Sequence, residues 1–409
     1  MTKLQQLPLA KAAWPKMANL VYLDCHATTP IDPRVAEAMW PFLTDYFGNA
    51  GSNHAYGWAA AAAVDQSRAT LAAAINASPE EILFTSGATE ANNLAIKGVA
   101  EAYLNKGRHL ITVATEHSAV LDPCRYLQSL GFEVTVLPVD RLGLLDLEEL
   151  AQAMRPETVL VSVMVANNEI GVLQPIEQIG ALCRDRGVLF HTDAAQAIGK
   201  VPLDVQTQSI DLMSLTAHKV YGPKGIGALY VRRGNSRVAL APQLHGGGQE
   251  RGLRAGTLPV SQIVGFGRAI ELAMGHLATE AEKLQMLRDR LWERLQTYFA
   301  TAPGLDLELN GHPSLRLPGN LNVTIEGLPN GAVLKAIQSI AAVSSGSACQ
   351  SETGRQSHVL KALGQSAGPL TTTLRFGLGR FHDFATIDRV ATRLIGAIEQ
   401  IRRNAGTLA

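Results

Sequence analysis

The sequence is poor in cysteine and in long apolar runs, and it carries no excess charge of either sign. Its four cysteines show no CxxC spacing, which argues against a disulfide scaffold or a zinc site and favours a reducing cytoplasm. The 36 basic residues equal the 36 acidic ones, so no global field exists to attract nucleic acid or anionic lipid. The longest apolar runs, such as residues 58–64, are too short to cross a membrane. We therefore predict a cytoplasmic protein without metal, membrane or direct nucleic-acid contacts.

The N-terminal segment lacks the residues that are typical of a targeting peptide. Residues 1–23 contain no arginine, no serine and no acid, and Pro8 and Pro15 interrupt any apolar stretch. Transit peptides are also poor in acid, but they are rich in arginine and serine. We therefore predict an ordinary N-terminal arm.

What the sequence does contain is a regular alternation of strand-like and helix-like stretches between residues 80 and 232. This alternation predicts an α/β fold whose mostly parallel sheet is covered by helices on both faces. Such sheets bind ligands at the carboxyl ends of their strands. The predicted strands are Glu81–Thr85, His109–Thr112, Glu133–Leu137, Val159–Met164, Val188–His191, Leu212–Leu215 and Ala228–Val231. The predicted helices are Glu90–Tyr103, Leu147–Met154 and Ile176–Arg186.

The composition changes after Gly267, which predicts a second, smaller α+β domain. Arg268–Ala300 is amphipathic and rich in Glu, Lys, Arg and Leu, which predicts one long helix. Two strands and a closing helix follow, at Asn320–Ile325, Leu374–Leu378 and Ala385–Arg403. A chain of 409 residues also suggests two or three domains at ~150 residues each. The predicted domains are residues 30–270, and residues 1–29 together with 271–409.

Lys219 follows one of the apolar strands, within a run that ends in the turn-forming Gly222, Pro223 and Gly225. At that strand end the lysine would lie where ligands bind. Partial burial and a neighbouring cation would favour loss of its proton, as an amine nucleophile requires. An exposed loop lysine explains this run equally well, and Lys224 is a local competitor.

Other strand ends carry groups that would bind one cofactor, pyridoxal 5′-phosphate (PLP). Ser86 to Glu90 pass from a strand into a helix, whose free N–H groups and dipole would bind a phosphate. Asp193 could keep a pyridine nitrogen protonated, and Gln196 could donate to the ring oxygen. His117 could stack on the ring and shuttle protons.

Taken alone, the runs at 86–90 and 193–196 could be helix caps and the amides at 167–171 a polar turn, and a lone histidine such as His117 is more often structural. Together they supply the needs of PLP, with Lys219 as its Schiff-base lysine.

At these residues the chain resembles fold-type I PLP enzymes, specifically the cysteine desulfurases of the NifS/IscS-like group. The resemblance covers nearly the whole chain from about residue 20. The matching runs are residues 22–24 with 27–30, 85–90, 115–117, 167–171, 193–196, 218–225, 245–248, 254–257, 344–349 and 375–380.

The resemblance implies a role for each matching residue. Lys219 would hold PLP and act as the base, and His117 would assist protonation. Arg375 and Asn168 would bind the substrate carboxylate. Thr257 would reach the phosphate of a neighbouring subunit, which implies a homodimer. The residues implied to contact PLP are Ala88, Thr89, His117, Asn168, Asp193, Gln196, Thr216, His218, Lys219 and Thr257.

Cys349 is the implied catalytic cysteine. A lone cysteine is usually a small buried residue, but its neighbours here are polar or small, which predicts an exposed loop that suits a nucleophilic thiol. The implied reaction converts L-cysteine to L-alanine and leaves a persulfide on Cys349 for iron–sulfur cluster or thio-cofactor synthesis.

Four alternatives remain open on the sequence. They are a selenocysteine lyase, a cysteine or cystine lyase, an aminotransferase, and a non-catalytic relay or scaffold protein. Intact Lys219, Asp193 and Cys349 argue against the last.

Two features depart from the family pattern. Cys25 and His26 stand where other pairs are usual, and we assign them no chemistry. The sequence after Arg403 is short for the tail with which housekeeping members dock an iron–sulfur scaffold, the sulfur acceptor that the resemblance implies.

Overall fold

The computed structural model describes residues 20–234, 238–345, 357–365 and 368–406. The first nineteen residues, which hold most of the predicted N-terminal arm, therefore lie outside the described residues. In chain order, the strands are β1 (Val21–Tyr22), β2 (Ile82–Thr85), β3 (His109–Val113), β4 (Glu133–Leu137), β5 (Thr158–Ser162), β6 (Leu189–Asp193), β7 (Leu212–Thr216), β8 (Gly227–Val231), β9 (Asp306–Leu309), β10 (Asn320–Glu326), β11 (Ala341–Ala342) and β12 (Thr371–Gly377).

Helices cover the strands on both sides. They are α1 (Pro33–Met39), α2 (Pro41–Thr44), α3 (Ala55–Ala73), α4 (Ala88–Ala102), α5 (Ser118–Ser129), α6 (Leu147–Ala153), α7 (Ile176–Asp185), α8 (Val260–Gly275), α9 (Leu277–Phe299), α10 (Asn330–Gln338), α11 (His358–Ala362) and α12 (Phe384–Gly406). One-turn 3-10 helices lie at Pro79–Glu81, Ala217–Lys219 and Glu250–Gly252. None of the helices in the described ranges is long and apolar enough to cross a membrane.

The main sheet has seven strands within the described residues, in the order β2-β8-β7-β6-β5-β3-β4. Only β8 runs against its neighbours, and the other strands of this sheet are parallel. The predicted mostly parallel sheet is therefore confirmed, and each predicted strand overlaps an observed one. Parallel strands end at the same edge, so the segments after β2, β3, β5, β6 and β7 converge there.

Alternation along the strands builds an apolar core on each face of this sheet. In β2, Ile82 and Phe84 join the core that also contains residues of α3 and α8, whereas Leu83 joins the core beneath α4 and α5. Successive strand residues point to opposite faces, and both faces here are covered. This is why the strands read as continuous apolar runs.

A separate apolar core lies around a three-stranded antiparallel sheet of order β12-β10-β9. Leu23 joins residues of α9, α10 and α12 in this core. Beside it, β1 pairs in parallel with β11. This core therefore contains residues from both ends of the described chain.

The prediction of one helix over 268–300 is wrong, because the chain breaks at His276. This residue has φ −128° and ψ 12°, outside the helical range, and it separates α8 from α9. Ile263 and Phe266 of α8 pack in the core of the main sheet, whereas Leu287 and Leu291 of α9 pack in the smaller core. A single straight helix could not present its apolar face to both cores.

Candidate active site

A cavity of about 510 Å³ opens at the edge where the parallel strands end. Segments that follow β2, β3, β5, β6 and β7 all line it. The predicted site residues that line it are Ala88, Thr89, His117, Asn168, Asp193, Gln196, Thr216, His218 and Lys219. The structure thus brings together side chains that are spread over about 130 residues of sequence.

Lys219 lies in the 3-10 turn that follows β7. Its Nζ donates to the backbone carbonyl of His26 over 2.6 Å. Burial, followed by the positive charges of Lys200 and Arg375, lowers the pKa of Lys219 to about 7. This lysine can therefore be an uncharged nucleophile near neutral pH.

The turn that carries Lys219 is fixed by the segment of residues 26–29. The backbone N–H of Thr29 donates to the carbonyl of His218 over 2.9 Å, and Thr29 Oγ1 accepts from the backbone N–H of Tyr221 over 2.8 Å. Tyr221 has φ 64°, an uncommon conformation for a bulky residue. The bonds to Thr29 help to hold this strained turn in place.

Asp193 ends β6, with a side chain that is almost fully buried. Its Oδ2 accepts from Asn92 Nδ2 over 2.7 Å, and its Oδ1 accepts from the N–H of Ala195 over 2.9 Å. These donors fix the carboxylate against the cavity wall.

An anion cradle forms where β2 passes into α4. The first N–H groups of a helix have no partner within it and attract anions. Gly227 of β8 passes so close that a Cβ there would lie 2.6 Å from Gly87 Cα. Glu90, which also lines the cavity, is paired with Arg254 at 2.8 Å, which offsets its charge near the cradle.

The surroundings of the two histidines that line the cavity lower the pKa of both rings. His117 caps α5, and its Nδ1 accepts from the N–H of Ala119 over 3.0 Å. In the neutral ring the proton is therefore on Nε2, and burial lowers the pKa of His117. Burial, with the charges of Lys219 and Lys224, lowers the pKa of His218 to about 4.

Arg375 is placed behind the cavity wall and does not line it. The guanidinium is fully buried and donates to Asp24 Oδ1 over 2.8 Å, to Ser344 Oγ over 2.9 Å and to the carbonyl of Asn168 over 2.9 Å. Its Nε is buried without a partner in the described part of the chain. Arg375 therefore supports Asn168, which does line the cavity.

Two further predicted residues are not in the cavity. Thr257 is exposed and lies in the segment between the 3-10 turn at Glu250–Gly252 and α8. Cys349 lies outside the described residues.

Three contributors were missed by the sequence interpretation: Asn92, the carbonyl of His26, and Lys200. Asn92 lies one helical turn after Thr89, so its spacing could have indicated it. His26 acts through its backbone, which leaves no signature in residue type. Lys200 donates to Gln196 Oε1 over 3.1 Å, and its position four residues after Gln196 could have indicated it.

These groups fit PLP. Lys219 provides the amine for its aldehyde, Asp193 provides a carboxylate for its ring nitrogen, and the start of α4 provides N–H donors for its phosphate. Lys219, Asp193 and the start of α4 all line the same cavity.

Comparison with known proteins agrees with this fit. The family model for aminotransferase class-V matches residues 21–390. The cysteine desulfurase IscS of Methylococcus capsulatus is 52% identical over 383 residues, which is 93% of this chain and 93% of that protein. A solved NifS-like protein superposes with a TM-score of 0.85 at 35% identity, covering 93% of this chain and 99% of that one.

A second solved structure, SspA in complex with cysteine, has a TM-score of 0.77 at 39% identity and covers 87% of this chain and 99% of that one. The family match spans both the main sheet and the smaller core. The chain therefore belongs to the cysteine desulfurases, the PLP-dependent enzymes of the class-V aminotransferase family.

Proposed function

We propose that this chain converts L-cysteine to L-alanine and keeps the sulfur as a persulfide on Cys349. The observation that carries the proposal is the Lys219 amine, whose pKa is lowered to about 7 in a cavity that also holds Asp193 and a helix N-terminus. The relative that was solved in complex with cysteine supports this substrate. An acceptor thiol would then take the sulfur for iron–sulfur cluster or thio-cofactor synthesis.

The cavity residues would hold the cofactor in the following way. Asp193 would keep the ring nitrogen protonated, with Asn168 and Gln196 beside the ring and His117 against its face. The phosphate would lie in the cradle of Ala88, Thr89, Thr216 and His218. When bound, PLP supplies an electron sink for negative charge at the substrate Cα.

The chain's own residues would then move the protons and the sulfur. Lys219 removes the proton from the substrate Cα, a task that suits a base with a pKa near the working pH. The Cys349 thiolate attacks the substrate sulfur, so that a new S–S bond forms as the C–S bond breaks. His117, with its proton on Nε2, assists protonation of the carbon fragment that leaves as alanine.

Arg375 and Asn168 are proposed to bind the substrate carboxylate. Arg375 lies behind the cavity wall and donates to the carbonyl of Asn168, so Asn168 would have to shift before Arg375 Nε, which has no partner among the described residues, could bind the carboxylate. A guanidinium is suited to a carboxylate because it offers several donors in one plane.

The test is to incubate the PLP-loaded protein with L-cysteine and to measure alanine and a persulfide on Cys349 by mass spectrometry. The variant C349S should bind PLP normally but form no persulfide. The buried Cys183 provides the control variant C183S, which should retain the reaction. Full-rate sulfide production by C349S would contradict the role of Cys349.

The same experiment separates the alternatives. Pyruvate in place of alanine would indicate a lyase, and a keto acid formed by transamination would indicate an aminotransferase. A preference for selenocysteine over cysteine would indicate a selenocysteine lyase.

We also propose a homodimer. The segment of α1 to α3 exposes large aromatic side chains, with Trp40, Phe47 and Trp58 between 61% and 69% exposed. Exposed apolar surface of this kind is typical of protein interfaces. The exposed position of Thr257 is compatible with a contact to the partner's phosphate cradle. The cytoplasmic location and the identity of the sulfur acceptor stay predictions.

A further inference from the structure

A second lysine is connected to Lys219 from outside the cavity. Lys200 follows β6 by seven residues, and its Nζ donates to Gln196 Oε1 over 3.1 Å. Gln196 Nε2 donates to the carbonyl of His26 over 2.8 Å, and Lys219 Nζ donates to that same oxygen over 2.6 Å. The two amines are therefore linked through one side-chain amide and one backbone carbonyl.

Lys200 determines which way the Gln196 amide points. An ammonium group has only donors, so the amide atom that faces Lys200 must be the oxygen. His26 Nδ1 lies 3.2 Å from the same oxygen and must also donate to it. The NH₂ group is thereby directed away from Lys200, and one of its two N–H bonds is left for a group in the cavity that Gln196 lines.

The positive charge of Lys200 is not neutralised by an ion pair. Within the described ranges, no carboxylate lies within ion-pair distance of Lys200. Glu280 shares a small cavity of about 20 Å³ with Lys200, but its carboxylate is 3.1 Å from Arg380 Nε. Arg375, the other nearby cation, is already paired with Asp24.

The field of Lys200 therefore acts on the Lys219 amine. After burial, Lys200 is the largest influence that lowers the pKa of Lys219. Burial also lowers the pKa of Lys200 itself, to about 8, so it remains largely charged at neutral pH. A neighbouring cation is a known means of activating a lysine nucleophile.

We propose that Lys200 is a positioning residue for the desulfurase reaction, which orients Gln196 toward the cofactor and acts electrostatically on Lys219 without touching cofactor or substrate. The inference rests on the proposed role of Lys219. The other titratable or charged groups around Lys219 are Asp24, His26, His117, Asp193, His218 and Arg375, and those around Lys200 are Cys25, His26, His218, Glu280 and Arg375. A change of Lys200 alone leaves all of them in place.

The experiment measures the Lys219 amine in the apoprotein. Trace labelling with acetic anhydride at a series of pH values, followed by mass spectrometry of the Lys219 peptide, gives the pH midpoint of its reactivity. In K200M the midpoint should move to higher pH by about 1, because a nearby like charge is removed. K200Q should show the same shift of the midpoint, and it replaces K200M in the experiment if K200M does not fold. K200R, which keeps the charge, should retain the original midpoint.

A matched control is K283M. Lys283 also donates to a backbone carbonyl, that of Arg380, over 2.9 Å, but it does not contact Gln196 or His26, and its replacement should leave the midpoint unchanged. An unchanged midpoint in K200M or K200Q would overturn the proposal, even if turnover fell. Borohydride reduction of the PLP-loaded protein, followed by peptide mapping, tests separately whether Lys219 rather than Lys224 binds the cofactor.

Discussion

Lys219 and Asp193 are the two central residues of the site, and their side chains have different surroundings. Asp193 receives hydrogen bonds from Asn92 and from the N–H of Ala195, so its carboxylate is stabilised in place. Lys219 is surrounded by cations and by apolar burial, which disfavour its protonated form. The fold therefore fixes the position of the carboxylate and favours the neutral form of the amine.

The lowered pKa of Lys219 predicts a pH-dependent stability of the apoprotein. Between about pH 7 and its ordinary pKa of 10.5, the unfolded lysine binds a proton that the folded one does not. Stability from this group therefore rises with pH, and the burial penalty is greatest below pH 7. Apo K219M should exceed the unaltered protein in Tm at pH 6.5, by a margin that shrinks toward pH 9.5.

The control for this comparison is K106M. Lys106 donates to the carbonyl of Gly187 at the surface, so its replacement should change Tm by an amount that does not vary over this pH range. A margin for K219M that grows with pH would contradict the sign of the effect.

Asp193 is expected to determine cofactor affinity. The variant D193N loses the negative charge. Its NH₂ group has no lone pair to accept the hydrogen bond from either Asn92 or the N–H of Ala195, so one of these two donors loses its acceptor. A hydrogen bond to a charged group contributes about 1.5 to 3 kcal/mol, so PLP binding should weaken about 10- to 100-fold. Titration of the apoprotein with PLP, followed by absorbance, measures this. D211N provides a control, because Asp211 accepts from Phe190 N away from the cavity, and its PLP affinity should be unchanged.

At the scale of elements, most strands of the main sheet were predictable because they are short apolar runs that are buried on both faces, although β4 at the sheet edge is partly exposed. The strand Glu133–Leu137 was predicted with its observed bounds. The break at His276 was not predictable from periodicity, since α8 and α9 are both amphipathic and adjoin directly. Only the presence of two cores shows why the chain must turn there.

In the site, too, features that depend on local sequence were predictable and features that depend on long-range packing were not. Residues after strand ends, such as His117 and Lys219, were predictable because parallel strands end at one edge. Contacts between distant segments were not. The pairing of Arg375 with Asp24 and the contact of Lys219 with the carbonyl of His26 depend on how remote segments pack, which residue types do not reveal.

A buried ion pair is expected to secure the edge strand β2. Arg68 of α3 binds Glu250 through two hydrogen bonds of 2.8 and 2.7 Å, and Glu250 also accepts from the N–H of Phe84. R68M would leave the Glu250 carboxylate buried and unpaired, at a cost of about 3 to 5 kcal/mol in the free energy of unfolding. Urea unfolding measures this loss.

The exposed pair of Arg125 and Asp122 offers a control, because both side chains are 63% exposed. R125M should change the free energy of unfolding by about 1 kcal/mol or less. Equal decreases in the free energy of unfolding for R68M and R125M would show that the buried pair stabilises the protein no more than the exposed pair does.

At the scale of the whole molecule, we propose that the chain divides into a large unit of residues 30–270 and a smaller unit of residues 1–29 and 271–409. The separate apolar cores support this division, and so does the break at His276 that lies near the proposed boundary. Leu23 supports the assignment of the N-terminal residues to the smaller unit.

The proposed homodimer predicts complementation between inactive chains. If Thr257 serves the partner's site, a mixed dimer of K219A and T257A contains one site with an intact Lys219 and an intact Thr257 from the other chain. Its activity should therefore exceed the mean of the two parent variants after subunits have exchanged. Activity at that mean would indicate that Thr257 does not act across an interface.

The segment of residues 23–29 has a consequence for when the cavity can form. Leu23 and Cys25 bond to Gly377 in β12, and Thr29 bonds to the turn of Lys219. The ribosome makes residues 23–29 about 350 residues before it makes Gly377. A nascent chain therefore exposes Lys219 long before β12 exists to anchor the residues beside it, and we expect tight capture of the cofactor only after β12 has been made.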